Sequence, residues 1–261
     1  MQVLVKLGGT LLDEPASRKQ VARGVAEAIN AGRRLTLVHG GGRQMTRFLQ
    51  ERGVESQFVE GLRVTTDQVL DAVLKVFAGT VNKLLVASLI EEGVPAVGIS
   101  GIDGALVEAE PLREELGHVG RPVRSNPELL RCLTDGGFVP VVACVAGSRN
   151  GRIFNVNADQ MAVACAKGLK PDALVFLTDV DGVLDAKKRP IRRLDRQGMK
   201  ELMESGVAAG GMLAKLRAAG DALDAGIGEV IIAPGAMPAV LTRVLSGELV
   251  GTRLEGGERS E

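Results

Sequence analysis

Six short apolar runs, near residues 2–7, 34–39, 95–99, 138–144, 173–178 and 229–233, alternate with stretches of helical period. Runs this short, rich in Val, Ile and Leu, read as strands buried on both faces. The segments 17–31, 42–53, 67–92, 126–135, 159–168, 197–205, 211–225 and 237–246 read as helices. Such a βαβα rhythm predicts an α/β fold, a three-layer αβα sandwich around a central, mostly parallel sheet. Ligands in such sheets gather at the carboxyl ends of the strands. Hairpin-like pieces are expected near 57–66, 104–110 and 150–156, where turn residues interrupt β-prone ones. Gly168-Leu169-Lys170-Pro171 marks the expected end of a helix and a boundary between lobes 1–168 and 169–261. The polar tail from Leu254 to Glu261 is expected to fray.

Composition removes several function classes. Basic and acidic residues balance at 32 each, so no nucleic-acid or membrane-surface partner is expected. With no Trp, no Tyr and six Phe, an adenine pocket has to be built mainly from aliphatic side chains and backbone. Cys132, Cys144 and Cys165 form no CxxC pair and do not cluster in sequence with His39 or His118. They read as small buried hydrophobes in a reducing setting, with no metal held by protein side chains. Val3 opens a strand at once and Lys6 interrupts it, so the first residues do not read as a secretion signal. No apolar stretch is expected to span a bilayer, and a cytoplasmic location is expected.

Lys6 closes the first apolar run and is followed by Leu7-Gly8-Gly9. A lysine at the end of a buried strand is costly unless an anion meets it, and paired glycines let a ligand approach the backbone closely. The second strand ends at His39 and runs into Gly40-Gly41-Gly42, directly before a helical pattern. That arrangement exposes backbone N–H groups at the positive end of a helix. Gly210-Gly211 opens another helix and carries Lys215 one turn in. The chain has 10 lysines against 22 arginines, so two lysines beside glycine pairs stand out. No GxxxxGK[ST] loop and no GxGxxG after the first strand are present, which disfavours a Walker A loop and a dinucleotide-binding Rossmann sheet.

Asn155-Val156-Asn157-Ala158-Asp159 precedes a helix. An extended backbone would place its three polar side chains on one side, whereas capping needs only one of them. Arg63 in Gly61-Leu-Arg-Val-Thr65 offers a fork for a carboxylate, but in a chain with 22 arginines it reads more readily, taken alone, as a solvated surface arginine. Thr178-Asp-Val-Asp-Gly-Val-Leu184 lacks the spacing of an EF-hand and reads equally as a nucleotide-contacting turn or a plain one.

Together, VKLGG (5–9), VHGGG (38–42), GLRVT (61–65), GTVNK (79–83), EELGHVG (114–120), NVNADQ (155–160), LTDVDGVL (177–184) and GGMLAK (210–215) resemble the amino acid kinase family, and within it the acetylglutamate branch. The resemblance spans nearly the whole chain in family order. It implies phosphoryl transfer from ATP, with Mg2+ carried by the nucleotide, to the γ-carboxylate of N-acetyl-L-glutamate in arginine biosynthesis. It implies that Lys6 and Lys215 neutralise the moving phosphoryl, and that Asp159 holds both lysines. Gly9, Gly41 and Gly42 then present N–H groups, while Arg63 grips the substrate α-carboxylate with Asn155 and Asn157 beside it. Gly8, Asp179, Val180, Asp181, Gly182, Val183, Leu184, Val207, Ala208 and Ala209 frame the nucleotide. The first lobe is expected to bind the acyl substrate and to dimerise, the second to bind ATP. Arginine-inhibited relatives carry a helix before the first strand; here that strand starts at Gln2, so an arginine-insensitive homodimer is expected. The rival readings are a sister kinase acting on aminoadipate, a nicotinamide-dependent oxidoreductase and a non-catalytic relative.

Overall fold

A computed structural model of the chain describes residues 1–256. Its first strands are β1 (Gln2–Leu7), β2 (Arg34–His39), β3 (Phe58–Val59), β4 (Leu62–Arg63), β5 (Ala96–Ser100), β6 (Val107–Pro111), β7 (Val119–Ser125), β8 (Val139–Ala143), β9 (Val145–Gly147) and β10 (Ile153–Val156). They interleave with α1 (Pro15–Asn30), α2 (Gly42–Gln50), α3 (Asp67–Val73), α4 (Asn82–Glu91) and α5 (Glu128–Asp135). The rest comprises α6 (Ala158–Leu169), β11 (Ala173–Thr178), β12 (Arg193–Leu194), α7 (Arg196–Glu204), α8 (Gly210–Asp224), β13 (Glu229–Pro234), α9 (Val240–Leu245) and β14 (Thr252–Leu254).

Eight strands make one sheet in the order β12-β14-β13-β11-β1-β2-β8-β5. Every pairing in it is parallel except β13 with β14. All six expected strands lie in this sheet, with β1 and β11, apolar and buried along almost their whole length, at its centre. Helices α1, α4 and α9 pack along one face, and α5, α6 and α8 along the other, which gives the three layers. β12 and β14 are two and three residues long, too short for an apolar run to stand out. Leu254 is buried within β14, so the expectation that the tail frays from that residue is corrected. Residues 257–261, the rest of that tail, lie outside the described residues.

Register brings the strand ends level. Leu7 lies opposite both Leu177 and His39, and His39 lies opposite Ala143. The turns after β1, β2, β8 and β11 therefore emerge on one edge of the sheet.

The pieces expected near 104–110 and 150–156 join a larger unit, as β6, β7, β9 and β10 close into a four-stranded barrel. The second is a hairpin, β9 with β10 antiparallel around the turn at 148–152. The first is not a hairpin by itself, which corrects that expectation: 107–111 forms β6, whose antiparallel partner is β7, and β10 also pairs parallel with β7. β7 (VGRPVRS) escapes sequence reading because Pro122 and two arginines break its alternation. The piece at 57–66 does contain an antiparallel pair, β3 with β4.

Residues Asp67–Glu91 run as one continuous helix, with a π-helical stretch at Leu74–Val81 between α3 and α4. At 25 residues and a mean hydropathy of 1.6 over its most apolar window, it is long and apolar enough to cross a membrane. That corrects the expectation that no such stretch exists. Here the helix packs on β5, β8 and α1, the position of a core helix. Cys144 and Cys165 are buried, and burial pushes both thiols up to about 12. Cys132 is exposed, contrary to expectation.

Candidate active site

The end of β1 carries the first component. Lys6 is almost fully buried, and its Nζ stands 2.7 Å from Asp159 Oδ1, an ion pair whose alignment falls short of a hydrogen bond. Lys215, in the second turn of α8, donates to Asp159 Oδ2 at 3.3 Å. Burial alone would raise the Asp159 carboxyl; the ammonium groups of Lys6 and Lys215 outweigh it and hold the carboxyl below its usual value of 3.8. One buried carboxylate thus faces two cations, so the cluster carries a net positive charge where an anion can be bound.

Asp159 owes its place to the start of α6. Asn157 is the cap of that helix, its Oδ1 accepting from the N–H groups of Asp159 and Gln160. The expected alternation of Asn155, Asn157 and Asp159 on one extended face is therefore corrected. Asn155 belongs to β10, Asn157 turns the chain and Asp159 lies in the first helical turn, because the cap ends the strand.

The two glycine turns meet. A Cβ on Gly9 would lie 3.8 Å from the backbone nitrogen of Gly42. The Gly8 N–H is already engaged, donating to Leu177 O at 2.8 Å, and a Cβ on Gly8 would press on that carbonyl at 3.0 Å. Gly8 therefore extends the sheet and clears the way, while Gly9 begins a 3-10 turn, Gly9–Leu12. Across from it, Met45 N–H is the first of α2 to bond back, to Gly41 O. The earlier N–H groups of that helix, at Gly42, Arg43 and Gln44, make no such backbone bond, as at any helix start.

Arg63 reaches the same turn from β4. It donates to Thr46 Oγ1 at 2.7 Å and to Gly42 O at 3.3 Å, donates also to Ser56 Oγ, and stacks on the Phe58 ring at 4.6 Å. Half-burial lowers the guanidinium from its usual value, and among the described residues no carboxylate lies within ion-pair distance of it. Asn155 Nδ2 donates to Thr65 Oγ1 at 3.1 Å, and Thr65 in turn donates to Arg63 O at 3.0 Å. The Thr65 carbonyl accepts from His118 N–H, and the Thr65 N–H donates to Leu116 O. A Cβ on Gly117, which has φ +65°, would collide with Thr65 O. The segments GLRVT, ELGHVG and NVNADQ thus form a single hydrogen-bonded wall. Thr65 joins them, and nothing in the sequence reading had singled it out beyond its place in the motif.

The loop after β11 is more open. Asp179, Val180, Asp181 and Leu184 are exposed. Gly182 and Val183 are tucked under the sheet edge, with Val183 N–H donating to Thr252 Oγ1 at 2.8 Å. Before α8, Val207 and Ala209 are exposed, whereas Ala208 is buried and tied by its N–H to Leu202 O. Gly210 and Gly211 have open space where a Cβ would be.

The profile of the amino acid kinase family matches residues 1–234. An acetylglutamate kinase of Solibacter usitatus is 58% identical over 97% of this chain and 99% of its own length. That of Methanopyrus kandleri is 43% identical over 88% of this chain and 93% of its own. Among solved structures, N-acetylglutamate synthase from Neisseria gonorrhoeae, complexed with coenzyme A and N-acetyl-glutamate, superposes with a TM-score of 0.87 at 26% identity, over 99% of this chain and 60% of that one.

Proposed function

The chain belongs to the amino acid kinase family, and we propose that it transfers a phosphoryl group from ATP to the γ-carboxylate of N-acetyl-L-glutamate. The product is N-acetyl-L-glutamyl 5-phosphate, and the reaction is the second step of arginine biosynthesis. The observation that carries the reading is the convergence of Lys6 and Lys215 on Asp159 beside the facing Gly9 and Gly42 backbones. The aminoadipate alternative is set aside, since curated relatives at 58% and 43% identity carry the acetylglutamate kinase name.

The chemistry asks for little covalent help. A carboxylate is already a nucleophile, so no strong base is needed, and the barrier lies in charge repulsion and alignment. Lys6 and Lys215 offset the charge of the phosphoryl oxygens, while Asp159 keeps the two ammonium heads from drifting apart. The N–H groups of Gly9, Gly41 and Gly42 face the phosphoryl and the acceptor. Arg63, which has hydroxyl and carbonyl partners but no carboxylate among the described residues, takes the substrate α-carboxylate. Asn155 steadies that end through Thr65. Asn157 serves mainly by placing Asp159. Gly8 and residues Asp179 to Leu184 and Val207 to Ala209 frame ATP at the open start of α8, and Mg2+ bound to the nucleotide supplies further charge neutralisation.

In this reading residues 1–168 bind the acyl substrate and carry the contacts of a homodimer, and the lobe from residue 169 binds ATP. Leu84 and Ile90 of α4 are 45% and 58% exposed, apolar surface that a dimer interface would cover. The reading places the enzyme in the cytoplasm. ADP release measured with acetylglutamate and with aminoadipate as acceptor tests it: turnover is expected with the first and overturned as a reading if only the second supports it.

A further inference from the structure

The structure assigns a positioning role to a buried pair that the mechanism above does not use: His39 and Asn82 aim the Gly41 N–H toward the phosphoryl path by holding the Gly40 carbonyl. The inference deepens the kinase reading and rests on it.

His39 ends β2 with no solvent exposure, and Asn82 begins α4 with 1%. His39 Nδ1 lies 2.8 Å from Gly40 O, and Nε2 lies 3.0 Å from Asn82 Nδ2. A carbonyl only accepts, so Nδ1 must carry the proton. The Asn82 amide is oriented by its other neighbours: Nδ2 donates to Val141 O at 2.9 Å, while Oδ1 accepts from Lys83 Nζ at 3.1 Å. Asn82 therefore presents a donor to Nε2, which has to be unprotonated. Every partner agrees on one neutral tautomer, and burial, the dominant cause, together with the charge of Lys83 keeps the ring neutral, its pKa lowered to about 4.

The consequence follows from the planarity of the peptide. In a trans peptide the C=O of Gly40 and the N–H of Gly41 point in opposite directions. Holding the carbonyl against the His39 ring directs the Gly41 N–H away from it. The other side of Gly41 is walled in: a Cβ there would meet Phe77 at 2.9 Å and Val81 at 3.1 Å, both from the π-helical stretch. That stretch leads straight into Asn82, so one helix grips the turn twice, by packing at Gly41 and through His39 at Gly40. Gly98 makes the grip possible, because a Cβ there would lie 2.0 Å from Asn82 Oδ1. A π-helical widening in mid-helix beside a ligand turn is a common functional placement.

Two substitutions separate this role from plain core packing. Asn carries an amide nitrogen near the place of Nδ1, and Gln carries one near the place of Nε2. In His39→Leu, kcat should fall by about tenfold to 100-fold, with both KM values within about threefold, as for a displaced oxyanion-type donor. His39→Asn should recover most of the loss and His39→Gln should not. Equal activity of the Asn and Gln variants, or unchanged kcat in His39→Leu, overturns the role. Should the variants fail to fold, nitrogen NMR of the wild-type protein with labelled histidine still decides the matter. A protonated Nδ1 and a bare Nε2 are expected at neutral pH; the opposite tautomer or a charged ring sinks the inference. A wild-type protein inactive on acetylglutamate would instead sink the kinase reading, whatever the tautomer.

Discussion

In the proposed reading, the acyl side and the nucleotide side of the site are built in opposite ways. On the acyl side, Arg63, Thr65, Asn155 and the Gly40–Gly42 turn are bonded to one another across β2, β4, β10 and α2. On the nucleotide side, Asp179, Val180, Asp181, Val207 and Ala209 stand exposed, and Gly210 and Gly211 border open space. If that reading holds, the contrast teaches that a preorganised acceptor pocket can coexist with a donor pocket of exposed groups. Fixed donors lose no freedom at the moment of reaction, whereas exposed ones lose it on binding and yield less.

The sharpest way to break the comparison is at the residues shared by both sides. Lys6→Ala or Lys215→Ala should leave a folded protein whose turnover falls by about 100-fold or more, the scale of losing one charge-stabilising donor. Near-wild-type ADP release in either variant would remove that lysine from the mechanism. Lys6 is the more deeply held, at 9% side-chain exposure against 16% for Lys215, so its loss should be the larger of the two.

Acid should weaken the acyl side from within. An unfolded histidine gains its proton near pH 6.5, whereas His39 in the folded chain gains it only near about 4. Between those values the unfolded state binds more protons, so stability falls as pH falls. The full effect is about 3 kcal/mol at about 1.36 kcal/mol per pKa unit. Asp159, whose carboxyl is depressed, adds a loss of the same sign at lower pH, as its folded-state value is crossed. Denaturant melts of wild type and His39→Asn from pH 7 to pH 4 test this; parallel pH slopes for the two proteins would contradict it.

Arg63→Ala should raise the acetylglutamate KM by about tenfold or more, the worth of a charged fork on a carboxylate, and leave the ATP KM unchanged. An unaltered acetylglutamate KM argues against the clamp. The smallest effect is expected on the open side. Asp179→Ala should raise the ATP KM by about twofold to tenfold, the range of one hydrogen bond made at an exposed site. A loss in kcat as large as that of Lys6→Ala would show that the nucleotide side is as preorganised as the acyl side, and the comparison would fail.

Much of this molecule was legible from its residues. The runs at 2–7, 34–39 and 173–178 match strands to the residue, because fully buried strands need unbroken apolar stretches. Glycine turns after Lys6 and His39 announced an anion-handling edge. The barrel was not legible, since β7 is interrupted by Pro122, Arg121 and Arg124 and is held by partners on two other strands, β6 and β10. Nor was the part played by Asn157, because a strand end and a helix cap draw on the same short polar residue. His39 and Asn82 lay in quoted motifs without a role, because a side chain that bonds to its neighbour's carbonyl leaves no periodic trace.

By itself the sequence determined the helices, the six long strands of the central sheet and the glycine turns that follow them, all of which depend on contiguous residues. The strand order, which sets β1 between β2 and β11, was decided by the tertiary structure. So was the meeting of Lys6, Asp159 and Lys215 from three distant segments. Such pairings depend on register and on which face each helix covers, and those follow from the packing of the whole chain rather than from any window of it.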